Sequence, residues 1–313
     1  MTRIFAIALG MSLSAILSLT ALTTSAAAQS EGRQRLGYGL LFTNDVLGDT
    51  DDRWRTGSIT SSRVWGPTWQ GQAPSGIGQL LEFRFHGEVI APENLSRPAA
   101  LDRPYVGALG FGLHTHFQKA QVDYALGADL IVTGPQTQLD DFQDFLHGFL
   151  GGRDVGSRVR RNQIDDGIRP SGVFEASREF ELGFARLRPF AEARLGVEDL
   201  IRAGADITFG DIGRGELLVR DAVTGHRYRV VRTEQAGTAF LLGADIAYVD
   251  DSDYLPARSG VTLTEDRTRV RAGIHWENHN GASLFYGMTW LSEEFDEQRE
   301  GQFLGAVQFR LRF

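Results

Sequence analysis

Four carboxylates, Asp45, Asp49, Asp51 and Asp52, crowd the stretch LLFTNDVLGDTDDRWRTGSITSS (40–62) between two apolar, alternating runs. Two kinds of chemistry suit such a cluster: oxygen ligation of a hard cation, and proton transfer in a hydrolytic site. A polar hairpin tip in water accounts for it equally well. Far along the chain, Gln143 and His147 stand at i and i+4 and so project from one helix face. A neutral imidazole near pH 7 can take a proton from water, although a histidine among apolar residues also serves as a structural group. Arg153, Arg158, Arg160 and Arg161 follow in a polar loop. Of the other histidines, His114 and His116 share a strand face, but the chain has neither cysteine nor an HExxH pattern to support zinc.

The elements that must position these groups are mostly strands. GQLLEFRFHGEVI (78–90) alternates Leu81, Phe83 and Phe85 with Glu82, Arg84 and His86. The segment 268–295 reads as two strands turning at Asn278-His279-Asn280-Gly281, where Asn-Gly is a strong hairpin signal. A second hairpin, 105–132, turns near Lys119. These arms exceed the usual strand of a soluble sheet and suit a tilted crossing of a bilayer. Such segments recur near 36–44, 55–66, 78–90, 104–117, 121–133, 171–182, 187–198, 201–210, 227–235, 238–249 and 268–278, with 283–313 divided in two. The expected fold is all-β, an antiparallel outer-membrane barrel of about twelve strands. AVQFRLRF closes the chain with Val307, Phe309, Leu311 and Phe313 on one face, like the terminal signal of such barrels.

One segment departs from the pattern. QLDDFQDFLHG (138–148), followed by Phe149, spaces Leu139, Phe142, Phe145, Leu146 and Phe149 as a helix does, with Gly151-Gly152 to end it. Long non-strand insertions in compact folds usually carry function.

Composition narrows the classes. Residues 1–28 follow the plan of an export signal: basic Arg3, an apolar run from Ile4, and small Ala26 and Ala28 before the expected cut, leaving 29–313 as the barrel. With 32 basic against 40 acidic residues the formal charge is −8, which argues against nucleic acid as a partner. The 37 glycines and 10% aromatics suit a large antiparallel sheet.

Taken together, Asn44-Asp45, Thr50-Asp51-Asp52-Arg53, Thr56-Gly57, Leu101-Asp102-Arg103-Pro104-Tyr105, Gly134-Pro135, Gln143-x-x-x-His147, Asn162-Gln163 and the last aromatic strand resemble the LpxR-type family of outer-membrane lipid A 3'-O-deacylases. The resemblance implies a twelve-stranded barrel with a calcium-dependent ester hydrolase site near its extracellular end, and lipopolysaccharide as substrate. It implies Asp45 as the Ca2+-associated carboxylate, His147 as base, and Asn44, Thr56 and Gln143 beside them. Gln143 would orient the water or donate to the oxyanion. Some members carry a glutamate where this chain has Arg153, and the aromatic that often precedes Asn-Gln is replaced by Arg158-Val159-Arg160-Arg161. If that glutamate supports metal or base, Arg153 argues against activity; if it lines the substrate groove, Arg153, Arg158, Arg160 and Arg161 could meet lipid A phosphates. The alternatives are a catalytically silent barrel, an outer-membrane phospholipase, and a passive pore, the last disfavoured because the lumen is expected to hold the 138–167 insertion.

Overall fold

The computed structural model describes residues 32–50, 52–150 and 153–311, without the side chains of Phe149 and Leu150. The export signal with its cut after Ala28, Asp51, the Gly151-Gly152 stop and the terminal Phe313 lie outside the described residues. The strands are β1 (Gln34–Asn44), β2 (Trp54–Gly66), β3 (Leu80–Ala91), β4 (Val106–Lys119), β5 (Val122–Thr133), β6 (Gly167–Ser177), β7 (Phe180–Glu181), β8 (Arg186–Leu195), β9 (Glu198–Phe209), β10 (Leu217–Arg220), β11 (Arg227–Val231), β12 (Gly237–Ser252), β13 (Asp266–Glu277), β14 (Ser283–Leu291) and β15 (Gln302–Arg310). Among the described residues two α-helices, α1 (Leu139–Leu150) and α2 (Ser157–Arg161), interrupt them.

Antiparallel neighbours run from β6 back through β1 to β15 and on through β14, β13, β12, β9 and β8, and β8 pairs with β6 to close the cylinder. β7 is a two-residue appendage on β8, so the wall has 12 strands. Closure leaves no edge to solvate, which a sheet in hydrocarbon requires. The alternation is inverted relative to a soluble protein. Tyr38, Leu40 and Phe42 of β1, like Phe111 and Leu113 of β4 and Phe240 and Leu242 of β12, are exposed on the outer face. Arg229 and Arg271 are among the largest fully buried side chains. Each is paired: Arg271 with Asp206 and Asp245, Arg229 with Glu216 and Glu277. Lipid outside and charge inside is the pattern of an outer-membrane barrel.

Two expectations change. Segment 227–235 alternates like a wall strand, but its β11 pairs with β10 in a separate two-stranded hairpin. And the lumen is filled by this hairpin, not by the 138–167 insertion. Tyr228, Val230 and Val231 pack with Leu41, Val64 and Phe285 of the wall. The hairpin also backs the closing seam. β1 and β15 pair from Phe42↔Val307 to Asn44↔Gly305. Below that, the Gln308 side chain accepts the Arg229 N–H at 3.1 Å and donates to its carbonyl at 3.0 Å.

This approach needs glycine in β1. A Cβ on Gly37 would lie 2.1 Å from the Val230 carbonyl oxygen, and one on Gly39 would lie 2.7 Å from that of Arg229. Gly37→Val should therefore displace the hairpin and cost about 1–3 kcal/mol, the usual range for overpacking. The check is the temperature at which the folded band is lost in unboiled gel electrophoresis, expected to fall, whereas Gly172→Val, where a Cβ meets nothing nearer than the Gly127 carbonyl oxygen at 3.8 Å, should leave it nearly unchanged.

Candidate functional site

β1 ends at Asn44 in the outward column of Leu40 and Phe42, opposite Gly57 of β2. Asn44 donates from Nδ2 to the Thr56 carbonyl at 3.0 Å, and its Oδ1 accepts Val46 N–H at 3.0 Å. The next residue, Asp45, is fully buried. Its N–H donates to the same Thr56 carbonyl at 3.1 Å, and its carbonyl caps the turn by accepting from Gly48 at 2.7 Å and Thr50 at 3.2 Å. Each carboxylate oxygen of Asp45 accepts one N–H at 2.8 Å, from Val46 and from Arg53. Burial nevertheless pushes this carboxyl up to about 9, with the charges of Asp52 and Asp49 adding to the effect.

α1 brings the other half. Leu139 and Thr137 sit on Gly107, an outward position of β4 where a Cβ would meet Thr137 Oγ1 at 2.5 Å and Leu139 Cβ at 3.1 Å. The helix therefore starts over the outer side of the wall. Helical spacing divides it into three faces. Asp140 and Asp144 turn towards α2, where both bind Arg160, which also reaches Asp141 at 2.9 Å. Asp144 further accepts the Val155 N–H at 2.6 Å. Gln143 and His147 turn towards the β1–β2 loop, and Phe142, Phe145 and Leu146 are exposed.

The partner of that second face is Asp52. His147 Nε2 lies 3.2 Å from Asp52 Oδ2, and Gln143 Nε2 donates to Asp52 Oδ1 at 3.5 Å. The other ring nitrogen, Nδ1, donates to the Arg153 carbonyl at 2.5 Å. A carbonyl can only accept, so this contact holds a proton on Nδ1, and Nε2, facing an Asp52 oxygen, is the ring nitrogen left for proton exchange. Burial pushes the Asp52 carboxyl up, and the His147 charge draws it back down. Asp52 thus touches His147 and Gln143 and interacts electrostatically with Asp45: it is the link between the two halves.

Several oxygens here are buried without a partner: Thr56 Oγ1, Gln143 Oε1 and the Tyr105 hydroxyl. Tyr105 precedes β4 and packs with Leu95, Val155 and Val159. Its phenol is pushed up by burial and by the nearby charges of Asp140, Asp144 and Asp52. Unpaired buried acceptors and donors are costly in a finished fold, so each of these atoms is open to a further partner.

The sequence residues are distributed as follows. Asn44, Asp45 and Thr56 meet through Thr56's backbone. Gln143 and His147 meet at Asp52, which reads from sequence as one carboxylate of a polar turn. Asp49 ties that turn to β15, accepting the Phe303 N–H at 3.2 Å, and pairs with Arg53 at 3.6 Å. Arg153 contributes its carbonyl, while its side chain is exposed. Arg158 and Arg161 are exposed on α2, whereas Arg160 is committed to carboxylates of α1. The clamp by Arg160 and the linking role of Asp52 have no local sequence signal, although TDDR and LDRPY both belong to the blocks that carry the resemblance.

Arg160→Ala should free α1 from α2 and expose 135–166 to protease several-fold faster, since local opening governs such cleavage. The folded barrel band should persist. Unchanged cleavage would mean that Arg160 holds nothing in place.

Among known proteins, the family model described as "Outer membrane protein LpxR" matches residues 13–313. No curated protein sequence matches the chain. The solved structure of LpxR from Salmonella typhimurium aligns with a TM-score of 0.69 at 15% identity, covering 88% of this chain and 100% of that one. The beta domain of the Bordetella autotransporter BrkA gives a TM-score of 0.35 at 12% identity, with 88% and 100% coverage. The translocator domain of the autotransporter NalP from Neisseria meningitidis gives 0.36 at 10%, with 98% of each chain covered.

Proposed function

Because the chain belongs to the LpxR family of outer-membrane proteins, we propose that it is a lipid A deacylase, a calcium-dependent ester hydrolase acting on lipopolysaccharide in the outer leaflet. The observation that carries this reading is the position of the His147–Asp52–Gln143 group. It stands where the lipid-facing column of Tyr38, Leu40 and Phe42 gives way to Asn44. An ester linking an acyl chain to a polar headgroup lies at that same boundary between hydrocarbon and water. A lumenal site, by contrast, would face the paired charges around the inner hairpin.

The chemistry follows from the ring orientation. With Nδ1–H held by the Arg153 carbonyl, Nε2 acts as base when its contact with Asp52 opens to admit water: it takes a proton from that water as the hydroxide attacks the ester carbonyl. The imidazolium that forms is stabilised by the Asp52 carboxylate at 3.2 Å, and returns its proton to the departing sugar oxygen. Gln143 holds Asp52 and presents Oε1, which has no other partner, towards the reacting water.

The residues fit Ca2+. Asp45, Thr56 Oγ1 and the Tyr105 hydroxyl are hard oxygen donors, the last two without partners. Among the described residues no three His, Cys, Asp or Glu side chains cluster as a metal cage, so hydroxyl, amide, backbone and water oxygens would complete the shell around Asp45. When bound, the ion supplies positive charge for the developing oxyanion.

Arg153 bears on the choice between an active and a silent barrel. The contact His147 requires at this position is a backbone carbonyl, which any residue supplies, so the charge reversal leaves the base oriented. Exposed Arg153, Arg158 and Arg161 remain available to lipid A phosphates.

Mass spectrometry of lipid A from membranes containing the protein tests the proposal. The expected result is loss of one acyloxyacyl unit with calcium and none with chelator. His147→Ala should lower the rate by about 100- to 10,000-fold, the usual contribution of a general base, and Asp52→Asn should lower kcat with the barrel intact. Intact lipid A alongside shortened phospholipid would assign the activity to glycerolipid instead, and no change in either lipid would leave the silent barrel.

A further inference from the structure

The third face of α1 is apolar and open over much of its area. Phe142 is 51% exposed, Phe145 60% and Leu146 36%. On a helix clamped so firmly on its opposite side, a contiguous apolar strip has an occupant. Its place identifies that occupant. Leu139 at the start of the helix covers Gly107, which lies in the same outward column of β4 as Phe111 and Leu113. That column is part of the bilayer-facing surface of the barrel, and the strip continues it upwards through Leu139.

The β1–β2 turn mirrors this on the other side of the site. A Cβ on Gly305 of β15 would meet Leu47 Cβ at 2.4 Å, so Leu47 also lies over the outer wall, and Val46 beside it is 55% exposed. Two apolar elements therefore flank His147 and Asp52, each resting on lipid-facing wall. A water-exposed loop would not arrange its apolar residues so.

We infer that α1 is seated in the bilayer, with Phe142, Phe145 and Leu146 among the acyl chains of the outer leaflet. The clamp of Arg160 on Asp140, Asp141 and Asp144 holds the polar side out of the hydrocarbon, and the membrane holds the apolar side in it. The site is thereby fixed at the depth where ester bonds of the leaflet lie. The inference rests on the outer-membrane location and goes beyond the hydrolase reading, because the seating requires no catalysis.

The chain has no cysteine, so single spin labels report one position each. Phe145→Cys, Phe111→Cys on the wall and Ser157→Cys on the exposed side of α2 are labelled and reconstituted in phosphatidylethanolamine–phosphatidylglycerol vesicles. Folding is checked by the heat-dependent gel shift. Collisions with oxygen, which enters hydrocarbon, are compared with those of a water-soluble nickel chelate. Position 145 is expected to match 111, with an oxygen-to-nickel ratio several-fold above that at 157. A ratio at 145 equal to that at 157 overturns the seating. Lipid A mass spectra from the unlabelled protein judge the hydrolase reading separately, so either can fail alone.

Discussion

Everything in this molecule depends on closing a sheet in hydrocarbon, where an unpaired backbone edge has no water to satisfy it. β1 meets β15 over the upper part of the seam, from Phe42 to Asn44. Lower down, the backbone of β11 and the Gln308 amide back the junction from inside. The same residues that complete the cylinder lead directly into the candidate site, since Asn44 is the last pair of the seam and Asp45 the first residue beyond it.

Closure with lipid outside forces polar side chains inwards, and burying them demands pairing. Arg55 meets Glu88, Glu198 and Glu294; Arg267 shares Glu198 and Glu294 with it. Such networks add little net stability compared with an apolar core, but removing one member leaves a buried charge unpaired. They therefore lock the inner hairpin and the strand ends into one arrangement. A lumen so occupied is a scaffold, and the candidate site lies on its outer rim.

On the proposed reading that rim combines two demands. A hydrolytic centre needs water, a base and a charge-stabilising group, while its substrate would be anchored in hydrocarbon. The three faces of α1 suit both: acids held by Arg160, Gln143 and His147 on Asp52, and exposed phenylalanines on the remaining side. Asp45 shows the same tension, a carboxyl buried at a cost that a neighbouring cation would offset.

Much of this was legible in the residue order. Period-two alternation, the Asn278–Gly281 turn and the faces of 139–147 depend on local geometry alone, so the barrel class, a helix over that segment and the shared face of Gln143 and His147 followed from the chain. The fate of 227–235 did not, because a strand lining the lumen and a strand in the wall alternate alike. Nor did the meeting of Asp52 with His147, the use of Arg153 by its carbonyl, or the commitment of Arg160 to carboxylates. Residue type reveals what a side chain can bond; only the closed sheet, which brings the end of β1 beneath a helix emerging after β5, decides what it meets.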